Sequence, residues 1–198
     1  WNTFSEPRDI RPSEKWLLVR SGTPLMKILP LESSDSTLIR SLIIREWGDD
    51  FVIVHGTVFS PHLLQGFKFV DNTNLAGFVT YNIQGNACEI ITLNSFHERQ
   101  GIGSTLLGAV EECAGQEGCA CCMLVTTNDN LNALGFYQKR GYFITGISLG
   151  AEDETRKRKP SIPVIAENGI PIRDEITLKK LIPGGLQPGN TETAIKLG

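Results

Sequence analysis

Apolar positions along this chain spell strands and one helix up to Ser95, and helices alternating with strands beyond it. Met26, Ile28, Leu29 and Leu31 read as a strand, and Ser33, Ser34, Asp35 or Ser36 offers an N-cap for a helix over about residues 37–47. Leu38, Leu42, Ile43 and Ile44 supply that helix with its buried stripe. Residues 51–64 are apolar but interrupted by His55, Gly56, Pro61 and His62, which predicts a structured loop or short helix rather than a strand. Three strands then follow at 66–70, 75–83 and 87–95, separated by Asp71-Asn72-Thr73-Asn74 and Gln84-Gly85-Asn86, both turn-forming. They predict an antiparallel meander.

Directly after this meander the spacing changes from two to three and four. Residues 101–115 carry Ile102, Leu106, Leu107, Val110, Cys113 and Ala114 on one helical face. A strand at 121–126, a second helix at 130–140 and a last strand at 142–147 complete a β-α-β-α-β run, so the class is α/β with a mixed sheet. Residues 1–23 form a polar N-terminal extension with one apolar patch at 16–19, and 24–150 form the domain. Residues 151–198 form a C-terminal extension. It holds a charged segment from Glu152 to Lys159, an Asn168-Gly169 turn, a helix or strand at 174–182, and a mobile end rich in Pro and Gly.

At 198 residues the chain suits one domain with appendages. A formal charge of -3 and a pI near 5.7 provide no global field for nucleic acid or an anionic membrane, so an anionic ligand must be held locally. Arg156-Lys157-Arg158-Lys159 is balanced by Glu152, Asp153 and Glu154 and lacks interleaved aromatics, which predicts a solvated loop rather than a nucleic-acid contact. No apolar run approaches the roughly 18 residues of a membrane span. Charged residues from Glu6 to Lys15 occupy the place of a signal peptide's apolar stretch, so the expected location is the cytoplasm. Cys113, Cys119, Cys121 and Cys122 are bunched, with Cys88 apart, which reads as free, packed thiols. Zinc would need a second Cys or His pair, and His55, His62 and His97 are scattered singly, so no metal is expected.

The most informative stretch is Glu98-Arg99-Gln100-Gly101-Ile102-Gly103-Ser104, between a strand and an amphipathic helix. Alternate glycines bare the backbone there, and successive N–H groups at the positive end of a helix can converge on a phosphate or pyrophosphate. Neither a Walker loop nor a dinucleotide fingerprint is present.

Together with Asn130, Ala133, Phe136, Tyr137 and Gly141-Tyr142 after the strand Leu124-Val125-Thr126, this loop resembles the GNAT superfamily of acyl-CoA-dependent N-acyltransferases. The family loop is Arg/Gln-x-x-Gly-x-Gly/Ala, and its next helix is commonly Asn-x-x-Ala-x-x-x-Tyr followed by Gly-Phe. The resemblance covers about residues 25–147; its one departure is Glu98, where the family has Arg or Gln. It implies a mixed, mostly antiparallel central sheet with helices on both faces, and acetyl-CoA as co-substrate. In the family, the strands flanking the loop helix splay and admit the pantetheine arm. That implies backbone partners at Leu93, Asn94 and Ser95, and a pyrophosphate cradle from Arg99, Gln100, Gly101, Ile102, Gly103 and Ser104. Asn130 would orient the thioester side, while Lys139 and Arg140 are candidates for the adenosine phosphate.

An amine of pKa near 10.4 is deprotonated to only about one part in 2,500 at pH 7, a deficit of about 4.6 kcal/mol that a base can partly offset. By resemblance, Glu89 is that base, acting through a water, and Tyr137 donates a proton to the departing CoA thiolate. His55 and His62 are alternative bases. The implied activity is direct transfer of acetyl to a small-molecule or peptide amine in a ternary complex. A non-catalytic acyl-CoA-binding regulatory or scaffolding domain is the alternative. No nucleic-acid or membrane partner is expected, and a homodimer is admitted. In related chains the extension after the last strand borders the acceptor, which would make 152–175 a specificity element.

Overall fold

The computed structural model describes residues 26–97 and 99–183. The N-terminal extension with its patch at 16–19, Glu98 and the expected mobile end lie outside the described residues. Among the described residues nine strands and four helices are formed, with short 3-10 turns at Ser33–Asp35 and Pro61–Leu63. Seven of the strands make one sheet: β1 (Met26–Pro30), β4 (Gln65–Asp71), β5 (Asn74–Gln84), β6 (Ala87–Ser95), β7 (Cys121–Thr127), β9 (Glu175–Leu181) and β8 (Phe143–Ser148), in that order. β1, β4 and β5 pair antiparallel, β6 and β7 parallel, and β9 antiparallel to both neighbours. The mixed, mostly antiparallel sheet is the one expected.

Residues 26–52, Phe59–Tyr81 and Ile91–Cys113 cluster as one compact unit. Its core gathers Ile39, Leu42 and Ile43 of α1 (Ser36–Trp47) around Phe78, with Leu31, Leu75 and Phe96 packed alongside. The stripe expected on α1 is corrected. Leu38 and Ile44 are 49% and 44% exposed, and Ile39 points inward at 1%. Leu38–Leu42 and Ile39–Ile43 are equally good i,i+4 pairs, so the sequence offered two rotations of this helix and packing on Phe78 selects one. Gly48, in the left-handed region at φ 80, ends the helix with its N–H on the Ile44 carbonyl.

Ile53–Val58, Asn82–Ile90 and 114–183 make the second unit. Alternation puts Cys88, Ile90, Cys122, Leu124, Ile176 and Leu178 in its core. All five cysteines are buried, and none of them is in a disulfide.

Two further expectations are corrected. The segment at 51–64 is chiefly a hairpin, β2 (Val52–Val54) and β3 (Thr57–Phe59), because His55 and Gly56 both take positive φ, 48° and 73°, and supply a two-residue turn. The charged segment is not a solvated loop but α4 (Ala151–Arg158), with Glu152 and Thr155 buried. Its acids occupy the first turn and its bases the last, the order that a helix dipole favours. The segment at 174–182, open between helix and strand in the sequence, forms β9, which pairs with β7 over 175–181 on one side and with β8 over 175–179 on the other.

Candidate active site

In the first unit, the loop that attracted attention runs from the tail of β6 into α2 (Ile102–Gln116). Arg99 and Gly101 sit at φ 60 and 79, so the backbone is left-handed at alternate positions. The first intrahelical hydrogen bond of α2 runs from Thr105 N–H to the Gly101 carbonyl at 3.0 Å, which leaves the Ile102 and Gly103 amides ahead of the ladder. Arg99, Gln100 and Gly101 are exposed, Gly103 and Ser104 half-buried, and Ile102 is buried as the anchor of the turn.

β6 approaches this loop through Leu93, Asn94 and Ser95, half-buried, half-buried and exposed in turn. Asn94 Oδ1 is buried without a hydrogen-bond partner among the described residues. Sequence reasoning missed Gly77 of β5, where a Cβ would meet the Asn94 carbonyl oxygen at 2.6 Å and Ile102 Cγ2 at 2.8 Å. Only a residue without a side chain fits there.

In the second unit, α3 (Leu131–Gln138) is started by Asn130, whose Oδ1 accepts a hydrogen bond from Ala133 N–H at 3.1 Å. Tyr137 projects from that helix into an aromatic group, edge-on to Phe136 at 5.1 Å and to Tyr142 at 5.6 Å. Burial drives its phenol well above the ordinary range, with Arg140 opposing. It therefore stays protonated at neutral pH. Arg140 stacks over Phe136 at 3.6 Å and donates to the Phe136 carbonyl, so it is occupied in closing the helix; Lys139 is exposed.

Glu89 stands opposite Met123 on β7, which stands opposite Lys179 on β9. Two-residue steps along β9 bring Thr177 and Glu175 onto the same face. The tip of the β2–β3 hairpin sets His55 against this face: Nδ1 lies 3.2 Å from Glu175 Oε2, and Nε2 lies 3.4 Å from Thr177 Oγ1. Burial raises the Glu89 carboxyl above its usual range, the His55 charge opposing and Glu175 adding. Glu89 and His55, separate base candidates in the sequence, thus share one electrostatic environment with Glu175. The signal for Glu175 and Thr177 was alternation in a segment whose period was ambiguous.

His62, the other base candidate, belongs to the first unit, in the 3-10 turn Pro61–Leu63. Its Nδ1 is buried without a hydrogen-bond partner among the described residues. Among the described residues, no group of three or more His, Cys, Asp and Glu is placed to hold a metal ion, and no helix is long and apolar enough to cross a membrane.

Comparison with known proteins gives this geometry a context. The model of the acetyltransferase (GNAT) family matches residues 36–142. The protein YdhI of Bacillus subtilis (strain 168) is 41% identical over 159 residues, covering 80% of this chain and 99% of YdhI. A GNAT family acetyltransferase from Elizabethkingia anophelis, solved with acetyl-CoA bound, is similar at a TM-score of 0.57 and 22% identity, over 79% of this chain and 97% of that one. The ribosomal-protein-S18-alanine N-acetyltransferase of Escherichia coli is similar at 0.56 and 16%, over 79% and 94%. At such identities the two structures speak for the fold.

Proposed function

This chain belongs to the acetyltransferase (GNAT) family, and from that premise we propose that it transfers acetyl from acetyl-CoA to an amine by direct attack in a ternary complex. The observation that carries the reading is the left-handed loop at Arg99 and Gly101, with the Ile102 and Gly103 amides standing ahead of the α2 ladder. Such donors at a helix N-terminus suit a pyrophosphate. The cradle is Arg99, Gln100, Gly101, Ile102, Gly103 and Ser104, and the pantetheine arm runs along Leu93, Asn94 and Ser95. The buried, unsatisfied Asn94 Oδ1 supports a polar ligand near that strand end.

The bound co-substrate supplies an activated thioester carbon. The amine nitrogen attacks it, the amine proton leaves through a water to Glu89, and the C–S bond breaks as Tyr137 gives its proton to the sulfur. The products are an N-acetyl amide and CoA thiol. A carboxyl raised by burial is a better proton acceptor than an exposed one, while burial keeps the Tyr137 O–H in place at neutral pH and at the same time makes it a weaker acid than an exposed phenol. Asn130 acts as the cap that fixes the start of the helix carrying Tyr137. We place the reaction in the cytoplasm, with a small-molecule or peptide amine as acceptor.

Thiol release from acetyl-CoA across a panel of amines tests this. Acceptor-dependent release is expected. Tight acetyl-CoA binding with no release on any amine would return the chain to the non-catalytic, acyl-CoA-binding reading.

A further inference from the structure

Between the tip of the β2–β3 hairpin and α4, the second unit contains a cleft of about 450 Å³, within the size range of small-molecule sites. His55 and Gly56 lie on one wall and Glu154, Lys157 and Arg158 on another, with Ser148 and Glu175 also in the lining. Glu175 is 3% exposed, so a carboxylate is held at the inner side with His55 against it.

The three bases of the last turn of α4 are not equally neutralised. Arg156 is paired with Asp153 and Lys157 with Glu154, each at 2.6 Å. Arg158 has no carboxylate partner among the described residues; its Nη1 donates instead to the Gly56 carbonyl at 2.7 Å. That bond pins the guanidinium to the cleft and leaves the rest of its fork of donors for an incoming group. The cleft therefore has two poles: a buried carboxylate with an imidazole on the inner side, and on α4 a guanidinium that has no ion-pair partner among the described residues, beside a Glu154–Lys157 pair that neutralises itself.

We propose that this cleft receives the acceptor and that the acceptor is a small amino-carboxylate, its amine drawn to Glu175 and His55 and its carboxylate to Arg158. The proposal rests on the acetyltransferase reading and narrows it. A polycationic amine would set a positive group against Arg158, and a neutral monoamine would leave the guanidinium unused. A carboxylate can take the fork in a planar, charge-assisted contact that neither alternative makes.

Paired acceptors test this: α-amino acids, their carboxamides and the corresponding decarboxylated amines, each assayed by thiol release with the wild type, Arg158→Gln and Arg158→Lys. The acids should show KM values about tenfold or more below those of the amides, a preference worth a charge-assisted contact. Arg158→Gln should erase the preference through KM, with Arg158→Lys restoring part of it. Calorimetric titration of the acids onto CoA-saturated protein gives a readout that needs no turnover. Equal KM values for acid and amide, a preference for the decarboxylated amines, an unaltered preference in Arg158→Gln, or no binding of the acids to CoA-loaded protein would each overturn the proposal. Failure of acetyl-CoA to bind at millimolar concentration would sink the acetyltransferase reading itself, a distinct result.

Discussion

Gly77 on β5 faces the carbonyl oxygen of Asn94 on β6 so closely that a Cβ would stand 2.6 Å from it. The same Cβ would lie 2.8 Å from Ile102, the first residue of α2. One missing methyl group thus lets the two ends of the Arg99–Ser104 loop close on the sheet. Gly77→Ala should cost about 1–3 kcal/mol through overpacking and should also weaken acetyl-CoA binding, because backbone and not a flexible side chain has to move. Thermal melts with and without acetyl-CoA check this; an unchanged ligand-induced shift would separate Gly77 from the loop.

Gly103→Val should block phosphate approach while leaving the helix formed, since valine is a better helix former than the glycine it replaces. For the wild type, acetyl-CoA at a hundredfold above Kd should stabilise by about 2.7 kcal/mol, or about 5–10 °C in Tm at this size. The variant should show no shift. A full shift would place the pyrophosphate elsewhere.

Tyr137→Phe keeps the ring in its aromatic group and removes the donor. Acetyl-CoA affinity should change little and kcat should fall by about 10² across the neutral range. Glu89→Gln should instead recover toward alkaline pH, as solvent deprotonates more of the amine. Full activity in both variants would make these residues structural and move attention to His55.

Two carboxylates, Asp174 of the second unit and Glu89, predict opposite effects of pH on stability. Asp174 is held below its ordinary value of 3.8, by a hydrogen bond from Arg173 first and by the Gly150 N–H next. Its contribution is present above that value and lost as pH falls through the lowered one. Glu89, raised above 4.5 by burial, binds its proton more tightly in the folded state, so stability declines as pH climbs from 4.5 through the raised value. Asp174→Asn should therefore lower Tm at pH 7, with the deficit closing in acid. Glu89→Gln should raise Tm at pH 7, with the gain fading toward pH 4. Melting curves from pH 3 to pH 8 decide it.

Much of the fold was legible because period and punctuation agree. β6 begins and ends where alternation and the Gln84-Gly85-Asn86 turn place it, and α2 follows its three-and-four spacing. Where two readings were locally equal, tertiary packing decided, as it did for Leu38 against Ile39. Short elements were harder. The β2–β3 hairpin hid because its turn carries a histidine at positive φ, and α4 hid because a balanced charge run looks the same solvated or helical until its i,i+3 pairs are seen. Loop glycines of the candidate site could be read from the chain. Gly77 and Glu175 could not, since their importance lies in what the sheet brings opposite them.

The place of β9 has a consequence for biosynthesis. β8 has β9 as its neighbour in the sheet and is separated by it from β7. A ribosome therefore delivers β8 before the strand that it pairs with. Until Glu175–Leu181 emerges, β8 offers unpaired backbone groups beside Phe143, Ile144 and Ile147, a template for association with other nascent chains. Translational pausing between the two strands would prolong that exposure, and chaperone demand should concentrate in that interval.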